Sequence, residues 1–172
     1  MDLEPFRKAY GHVAVERRDW PVDAEEFARF AARGPEPVGA AALLWDRQGR
    51  ILLVRETSAA GKRGAWATPG GFAEPGESPE DCVRREAREE AGVDVRITGL
   101  TKVIVCLAAN GGRVLPFTFF QFEAEHSGGT PRPGASISEV AWFDDLPEGM
   151  HFRADYVEAW RRRTAAKGAG VL

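Results

Sequence analysis

One helix in this sequence is marked at both ends and carries a concentration of acids. Ser78 and Asp81 have the spacing of a capping box, and Pro79 occupies the first helical position. Gly92 stands where a left-handed residue commonly ends a helix. These signals predict a helix from Pro79 to Ala91. Its apolar stripe is narrow and consists of Val83, Ala87 and Ala91.

Three glutamates, Glu86, Glu89 and Glu90, lie beside this stripe. With each residue advancing by about 100°, they fall within about 100° of one another around the helix. Like charges one turn apart repel and acids at the edge of a core lose hydration, so the arrangement is costly unless a cation compensates it. Carboxylate oxygens favour Mg²⁺ or Mn²⁺ over zinc. The alternative is a solvated acidic face paired with the arginines of the same helix.

The segment "ATPGGFAEPGE" leads into this helix. Its glycines allow backbone carbonyls and amides to approach a ligand without obstruction by side chains. By itself "PGG" is a turn signal, but next to an acidic helix it indicates a metal and phosphate site.

Residues 71–93 match the pattern Gx5Ex7REUxEExGU, in which U is apolar, at every fixed position. The chain therefore resembles the Nudix hydrolases, and the resemblance extends over roughly residues 38–146. Two departures are that Ala87 is smaller than usual and that Thr68 replaces a common leucine. The fixed residues are Gly71, Glu77, Arg85, Glu86, Glu89, Glu90 and Gly92.

The resemblance implies an α/β fold, an α/β/α sandwich with a mixed β-sheet. It also implies metal-dependent hydrolysis of a diphosphate linkage in a nucleoside diphosphate derivative, such as a nucleoside triphosphate, ADP-ribose or a nucleotide sugar. Glu77 and Arg85 would brace the loop against the helix. The metal ligands that it implies are the carbonyl of Gly70 and the carboxylates of Glu86, Glu89 and Glu90.

The water that attacks phosphorus needs a carboxylate that orients it or accepts its proton as a base. Glu89 and Glu90 are both candidates, and some family members use a glutamate from a later loop instead. Glu139 is the first such candidate here, followed by Glu123 and Glu125. The alternative for these three is that they are ordinary surface acids at strand ends.

Cations and aromatic side chains near residues 71–93, called here the Nudix box, are candidates for substrate binding. Arg55 and Arg63, with Lys62 as an alternative, could contact phosphate oxygens. Trp66 could stack on a base, although aromatic residues in such a domain are also common in the core. Phe72 and Trp142 are further aromatic candidates of the same kind.

The remaining pattern predicts an N-terminal extension, residues 1–37, and a Nudix domain with a C-terminal helix, residues 38–172. In the extension we expect a strand over 12–16 and a helix over 23–33. The extension could be a dimerisation arm, which would make the protein a homodimer, or a lid, or an extra packing layer. In the domain we expect strands over 38–46, 50–56, 93–109, 113–125 and 137–145 and a helix from 153 to about 167.

Composition restricts the partners. The net charge of −3 provides no general attraction to nucleic acid or to an anionic membrane. The ligand that the family resemblance implies is a small nucleotide derivative. The two cysteines fit a reducing compartment, and the charged amino terminus lacks the apolar run of a secretion signal. We therefore expect the protein in the cytoplasm.

Two observations concern the substrate and whether the protein is catalytic. The array "SQPWPFPxS" of the NADH-cleaving Nudix members is absent. A non-catalytic nucleotide-binding or regulatory protein of this fold remains the alternative to a hydrolase, although such proteins often lose glutamates of the box and this sequence keeps them.

Overall fold

The computed structural model describes residues 2–57 and 63–168. The helices of this part are α1 Glu4–Tyr10, α2 Ala24–Ala31, α3 Pro79–Ala91 and α4 Arg153–Gly168. The strands are β1 Ala14–Pro21, β2 Val38–Trp45, β3 Ile51–Thr57, β4 Arg63–Ala67, β5 Gly70–Phe72, β6 Val93–Asn110, β7 Arg113–Gly129 and β8 Ile137–Phe143.

The acidic helix α3 has the predicted bounds. The Ser78 Oγ accepts a hydrogen bond from the Asp81 N–H at 3.1 Å, which satisfies one of the free amides at the start of the helix. Gly92 ends the helix in the left-handed conformation with φ 69°, and its N–H donates to the Arg88 carbonyl at 3.1 Å. Local capping therefore determines where this helix begins and ends.

The strands form one open mixed sheet in the order β1-β6-β7-β2-β3-β4, with β5 added beside β2 and β8 beside β3. The pairs β1/β6 and β2/β7 are parallel, and the other pairs are antiparallel. The predicted hairpins β2–β3 and β6–β7 are both present. The predicted α/β fold with a mixed sheet is confirmed.

Strand alternation sends neighbouring side chains to opposite faces of the sheet. On β2, Leu44 packs in a core with α1 and α3, whereas Leu43 and Trp45 pack in a core with α4. A third apolar cluster joins α2 to the same face as α4, around Phe30 and Phe117. The sheet is thus covered by α1 and α3 on one face, called here the α3 face, and by α2 and α4 on the other, the α4 face.

The N-terminal residues differ in part from the expectation. The strand predicted over 12–16 begins at Ala14 and continues to Pro21, because its backbone pairs with residues 102–109 of β6. The helix predicted over 23–33 is shorter, with Asp23 as its N-cap. The division of the chain at residue 37 stays a prediction.

Three elements were not predicted: α1, β4 and β5. They are seven, five and three residues long, too short for a periodic pattern to identify them. The cysteines Cys82 and Cys106 are buried and free. None of the helices in the described ranges has the length and apolar character needed to span a membrane.

Candidate active site

Arg85 holds the loop before α3 against the helix. Its Nε donates to Glu77 Oε1 at 2.9 Å and its Nη2 to Glu77 Oε2 at 3.0 Å, which is the two-pronged geometry that arginine forms with carboxylates. The same Nη2 donates to the Phe72 carbonyl at 3.0 Å. These bonds hold the pKa of Glu77 below its usual value. The loop therefore has a defined position relative to the helix.

Arg85 also reaches two of the predicted metal ligands. Its Nη1 donates to Glu86 Oε1 at 2.8 Å and to Glu89 Oε2 at 3.0 Å. The side chain of Glu86 is 13% exposed and that of Glu89 is 60% exposed. One guanidinium thus links the loop, through Glu77, to two carboxylates of α3.

The glycines of β5 let the loop lie directly on these acids. The Gly70 N–H donates to Glu90 Oε2 at 3.0 Å. A Cβ atom at Gly71 would lie 2.3 Å from Glu86 Oε1, and one at Gly70 would lie 2.4 Å from the Cβ of Ala41. Gly70 is therefore required by close approach of the β2 backbone, whereas a side chain at Gly71 would displace the Glu86 carboxylate.

The ionised forms of Glu86 and Glu90 are unfavourable in this arrangement. Burial raises the pKa of Glu90 to about 8, and the charges of Glu86, Glu56 and Glu89 add to this effect. Burial likewise raises the pKa of Glu86 against the opposing influence of Arg85. A cation placed between these carboxylates would reverse this penalty.

Arg55, Trp66 and Glu139 form a separate group. The Arg55 guanidinium carbon lies 4.4 Å from the centre of the Trp66 ring, and Arg55 Nη1 lies 3.6 Å from Glu139 Oε1. The three residues occupy paired positions of β3, β4 and β8. By strand alternation they share the α4 face with Leu53, whereas Val54 packs in the α3 core. The structure thus brings these three residues together with one another.

The other predicted residues are dispersed. Glu123 pairs with Arg162 and Glu125 with Arg163, at 2.7 and 3.0 Å, on the part of β7 that lies beside the end of β2. Phe72 lies in the α2 cluster, 5.4 Å from the ring of Phe30. Trp142 packs at the edge of the α3 core. The Arg63 backbone pairs with Thr57 in β4, and Lys62 lies outside the described residues.

Comparison of this chain with known proteins identifies the family to which it belongs. The sequence profile of the NUDIX domain family matches residues 35–160. The chain belongs to the Nudix family. A MutT-like protein of Streptomyces ambofaciens is 32% identical to it over 133 residues, 77% of this chain and 79% of that protein.

Two further relatives complete the comparison. The NAD-capped RNA hydrolase NudC of Stutzerimonas stutzeri is 37% identical over 109 residues, 61% of this chain, but the match covers only 36% of the length of that relative. The crystal structure of a MutT Nudix hydrolase from Burkholderia pseudomallei has a TM-score of 0.52 and 29% identity, covering 77% of this chain and 98% of that one.

The oxygen donors of this Nudix domain fit a hard divalent cation. The carboxylates of Glu86, Glu89 and Glu90 share one flank of α3, and Gly70 lies against Glu90. Across residues 2–57 and 63–168, no three His, Cys, Asp or Glu side chains are already arranged as a set that could hold a metal ion. Glu86 and Glu89 point to the Arg85 guanidinium instead, so the acids are gathered by a cation of the protein itself.

Sequence reasoning missed Glu56 of the Nudix domain. It is close enough to raise the pKa of Glu90, and it follows Arg55 directly on β3. Strand alternation could have found it, because consecutive residues face opposite sides and Val54 lies on the α3 face. Glu56 is therefore a strand acid on the same face as Glu90.

Thr68 is the residue that departs from the family pattern before β5. Its buried hydroxyl lies 2.8 Å from the hydroxyl of Tyr156 on α4. The replacement of the common leucine before "PGG" therefore has a structural partner. The bond connects the residues before β5 to the helix on the opposite face of the sheet from α3.

Proposed function

We propose that this Nudix domain hydrolyses a diphosphate linkage in a nucleotide derivative and depends on Mg²⁺ or Mn²⁺ for this reaction. The observation that carries the proposal is the contact of Gly70 with Glu90, which places the open glycine backbone directly against the acidic flank of α3. A solvated acidic face would leave its glutamates in water, whereas Glu86 and Glu90 are buried enough for their pKa values to rise.

The proposal assigns roles to Gly70 and to five residues of the box. A bound divalent cation supplies charge neutralisation at the phosphates and lowers the pKa of a coordinated water. Glu86, Glu89, Glu90 and the Gly70 carbonyl would hold it. Arg85 and Glu77 position the loop and the helix so that these oxygens stay together.

Glu89 and Glu90 are the residues that would orient or deprotonate the attacking water. Glu90 accepts a hydrogen bond from the Gly70 N–H, whereas the side chain of Glu89 is 60% exposed, and both stay candidates for this role. Arg55, Arg63 and Trp66 stay candidates for substrate contacts, with Glu139 as their neighbour at Arg55.

The substrate class follows from the relatives only in part. One relative is named an NAD-capped RNA hydrolase, but the match spans 36% of its length and this chain lacks the "SQPWPFPxS" array. Another is named only as MutT-like. We therefore propose a small nucleotide derivative as the substrate. We also propose that the protein has no nucleic acid partner and is located in the cytoplasm.

The test is release of phosphate, pyrophosphate or nucleoside monophosphate from a panel of nucleoside triphosphates, ADP-ribose, nucleotide sugars, dinucleoside polyphosphates, NADH and NAD-capped RNA. Each compound is assayed with Mg²⁺, with Mn²⁺ and with EDTA. We expect turnover of a small nucleotide derivative that requires the metal and is lost in Glu90→Gln. Glu158→Gln, at an exposed position of α4, is the matched control and should retain full activity.

A second readout does not need a substrate. Mg²⁺ or Mn²⁺ should raise the melting temperature of the wild type and of Glu158→Gln, but much less that of Glu90→Gln, because a ligand that binds only the folded state stabilises it. If the panel stays intact while a nucleotide binds, the chain is a non-catalytic nucleotide-binding protein of this fold.

A further inference from the structure

A cavity of about 600 Å³ lies at the end of the sheet away from the Nudix box. It is bounded by the end of β2, the turn between β2 and β3, the start of β6, the end of β7 and the last turns of α4. Gly70 pairs with Ala41, and the strand continues for four residues to Trp45 at the cavity. At about 3.3 Å per residue, roughly 13 Å of strand separates the two places. The cavity volume is in the range of small-molecule sites.

Three arginines surround this cavity: Arg47 from the turn, Arg96 from β6 and Arg163 from α4. Arg96 and Arg163 both pair with one carboxylate, Glu125, the latter at 3.0 Å. One negative charge is therefore shared by two guanidinium groups. Each guanidinium carries five N–H donors, so donors remain for a further acceptor.

The other acid of the cavity is already neutralised. Asp46 Oδ2 accepts from Arg50 Nε at 2.7 Å, and its Oδ1 accepts from the Arg50 N–H at 2.8 Å. None of the ion pairs between residues of the described ranges involves Arg47, which is exposed. The cavity thus has an excess of positive charge in a chain whose net charge is −3.

A buried donor without an acceptor lies in the same wall. Trp45 is fully buried, and its Nε1–H has no hydrogen-bond partner in the described part of the chain. The guanidinium carbon of Arg163 lies 5.8 Å from the centre of the Trp45 ring. The N–H itself is closed off from the cavity, so Trp45 supports Arg163 from below and the ligand contacts fall to the arginines.

From these observations we propose that the cavity is a second ligand site that binds a nucleotide-sized phosphate ester. Its phosphate oxygens accept hydrogen bonds from Arg47, Arg96 and Arg163, which are suited to planar, charge-assisted contacts with phosphate. This site is independent of the hydrolytic reaction proposed for the Nudix box, because neither the residues nor the metal of that reaction take part.

The test is calorimetric titration of the full chain with AMP in EDTA, with uncharged adenosine as the matched ligand. We expect saturable binding of one AMP, with adenosine binding at least about tenfold more weakly because the phosphate contacts are missing. Arg47→Gln and Arg96→Gln should each weaken AMP binding by about tenfold. Arg17→Gln, at an exposed position of β1, removes the same charge elsewhere and should bind AMP as the wild type does.

Glu90→Gln separates this site from the Nudix box, and AMP affinity should be unchanged in it. The proposal is overturned if AMP does not bind, if adenosine binds equally well, or if Arg47→Gln and Arg96→Gln bind AMP as tightly as Arg17→Gln. Binding that is lost in Glu90→Gln but kept in the arginine variants would place AMP at the box and also overturn it.

Discussion

The backbone N–H of Gly134 donates to the carbonyl oxygen of Glu90 at 3.0 Å. In the same loop, the Arg132 N–H donates to the Ala91 carbonyl at 2.9 Å. The last carbonyls of a helix have no partner within the helix, and this loop satisfies two of them at the turn that carries Glu89 and Glu90. The segment between β7 and β8 therefore helps to position the acids of the Nudix box.

Gly134→Ala tests this contact. A Cβ atom at this position would lie 1.8 Å from the Glu89 carbonyl oxygen, so the loop must move away from α3. We expect a loss of about 1–3 kcal/mol in the free energy of unfolding, measured by urea denaturation, and faster hydrogen exchange at the end of α3. Gly149→Ala is the control, because a Cβ atom at that position would have no neighbouring atom within 4 Å. If the two variants have the same free energy of unfolding and the same hydrogen exchange at the end of α3, the loop does not support the helix.

Arg85→Lys tests the brace between loop and helix. Lysine cannot form the two parallel bonds to Glu77, so we expect a loss of about 1–3 kcal/mol in stability and a fall in kcat of about 100-fold through misplaced carboxylates. Arg84→Lys is the matched control, because Arg84 pairs with an exposed Asp81 that is 64% accessible. A kcat for Arg85→Lys within about threefold of that control would contradict the role of the brace.

Glu56→Gln and Glu139→Gln compare the two strand acids. Glu56 acts on the pKa of Glu90, whereas Glu139 pairs with Arg55 on the α4 face. We expect Glu56→Gln to raise the Mg²⁺ concentration needed for half-maximal activity by about three- to tenfold, because the variant loses a nearby negative charge that attracts the cation. Glu139→Gln should change it less. A larger effect from Glu139→Gln would mean that β8 supplies an acid to the reaction.

Asp155 of α4 predicts a pH dependence of stability. Burial opposes its ionisation, but the bonds from Arg18 and the charge of Lys102 outweigh burial and hold its pKa below the usual value. A lowered pKa in the folded state contributes stability above the unfolded value of about 3.9, and this contribution is lost as the pH falls through the folded value. Asp155→Asn should therefore be less stable than the wild type by about 2 kcal/mol at pH 7.

That difference should narrow in urea denaturation as the pH falls below about 4. Asp94→Asn is the control, because Asp94 pairs with Arg88 at a site where both side chains are more than half exposed. Its effect should stay below about 1 kcal/mol at pH 7. A gap for Asp155→Asn that is the same at pH 7 and pH 3 would mean that its charge is not what stabilises the fold.

Several features of this chain follow from local sequence alone. The bounds of α3 depend on Ser78, Pro79 and Gly92, whose capping preferences act within one turn of the helix. The hairpins follow from apolar runs that flank short turns. The position of the three glutamates on one flank of α3 follows from the helical period. The resemblance to the Nudix family rests on these glutamates together with Gly71, Glu77, Arg85 and Gly92.

The tertiary structure decided which of these residues meet. Arg55 and Glu56 are neighbours in sequence, yet the pleat sends one to Trp66 and the other towards Glu90. Gly134 reaches Glu90 across 44 positions only because β6 and β7 return the chain to the end of α3. Such contacts depend on the register and order of strands, which are fixed by packing between distant segments and leave no periodic signal in the residues themselves.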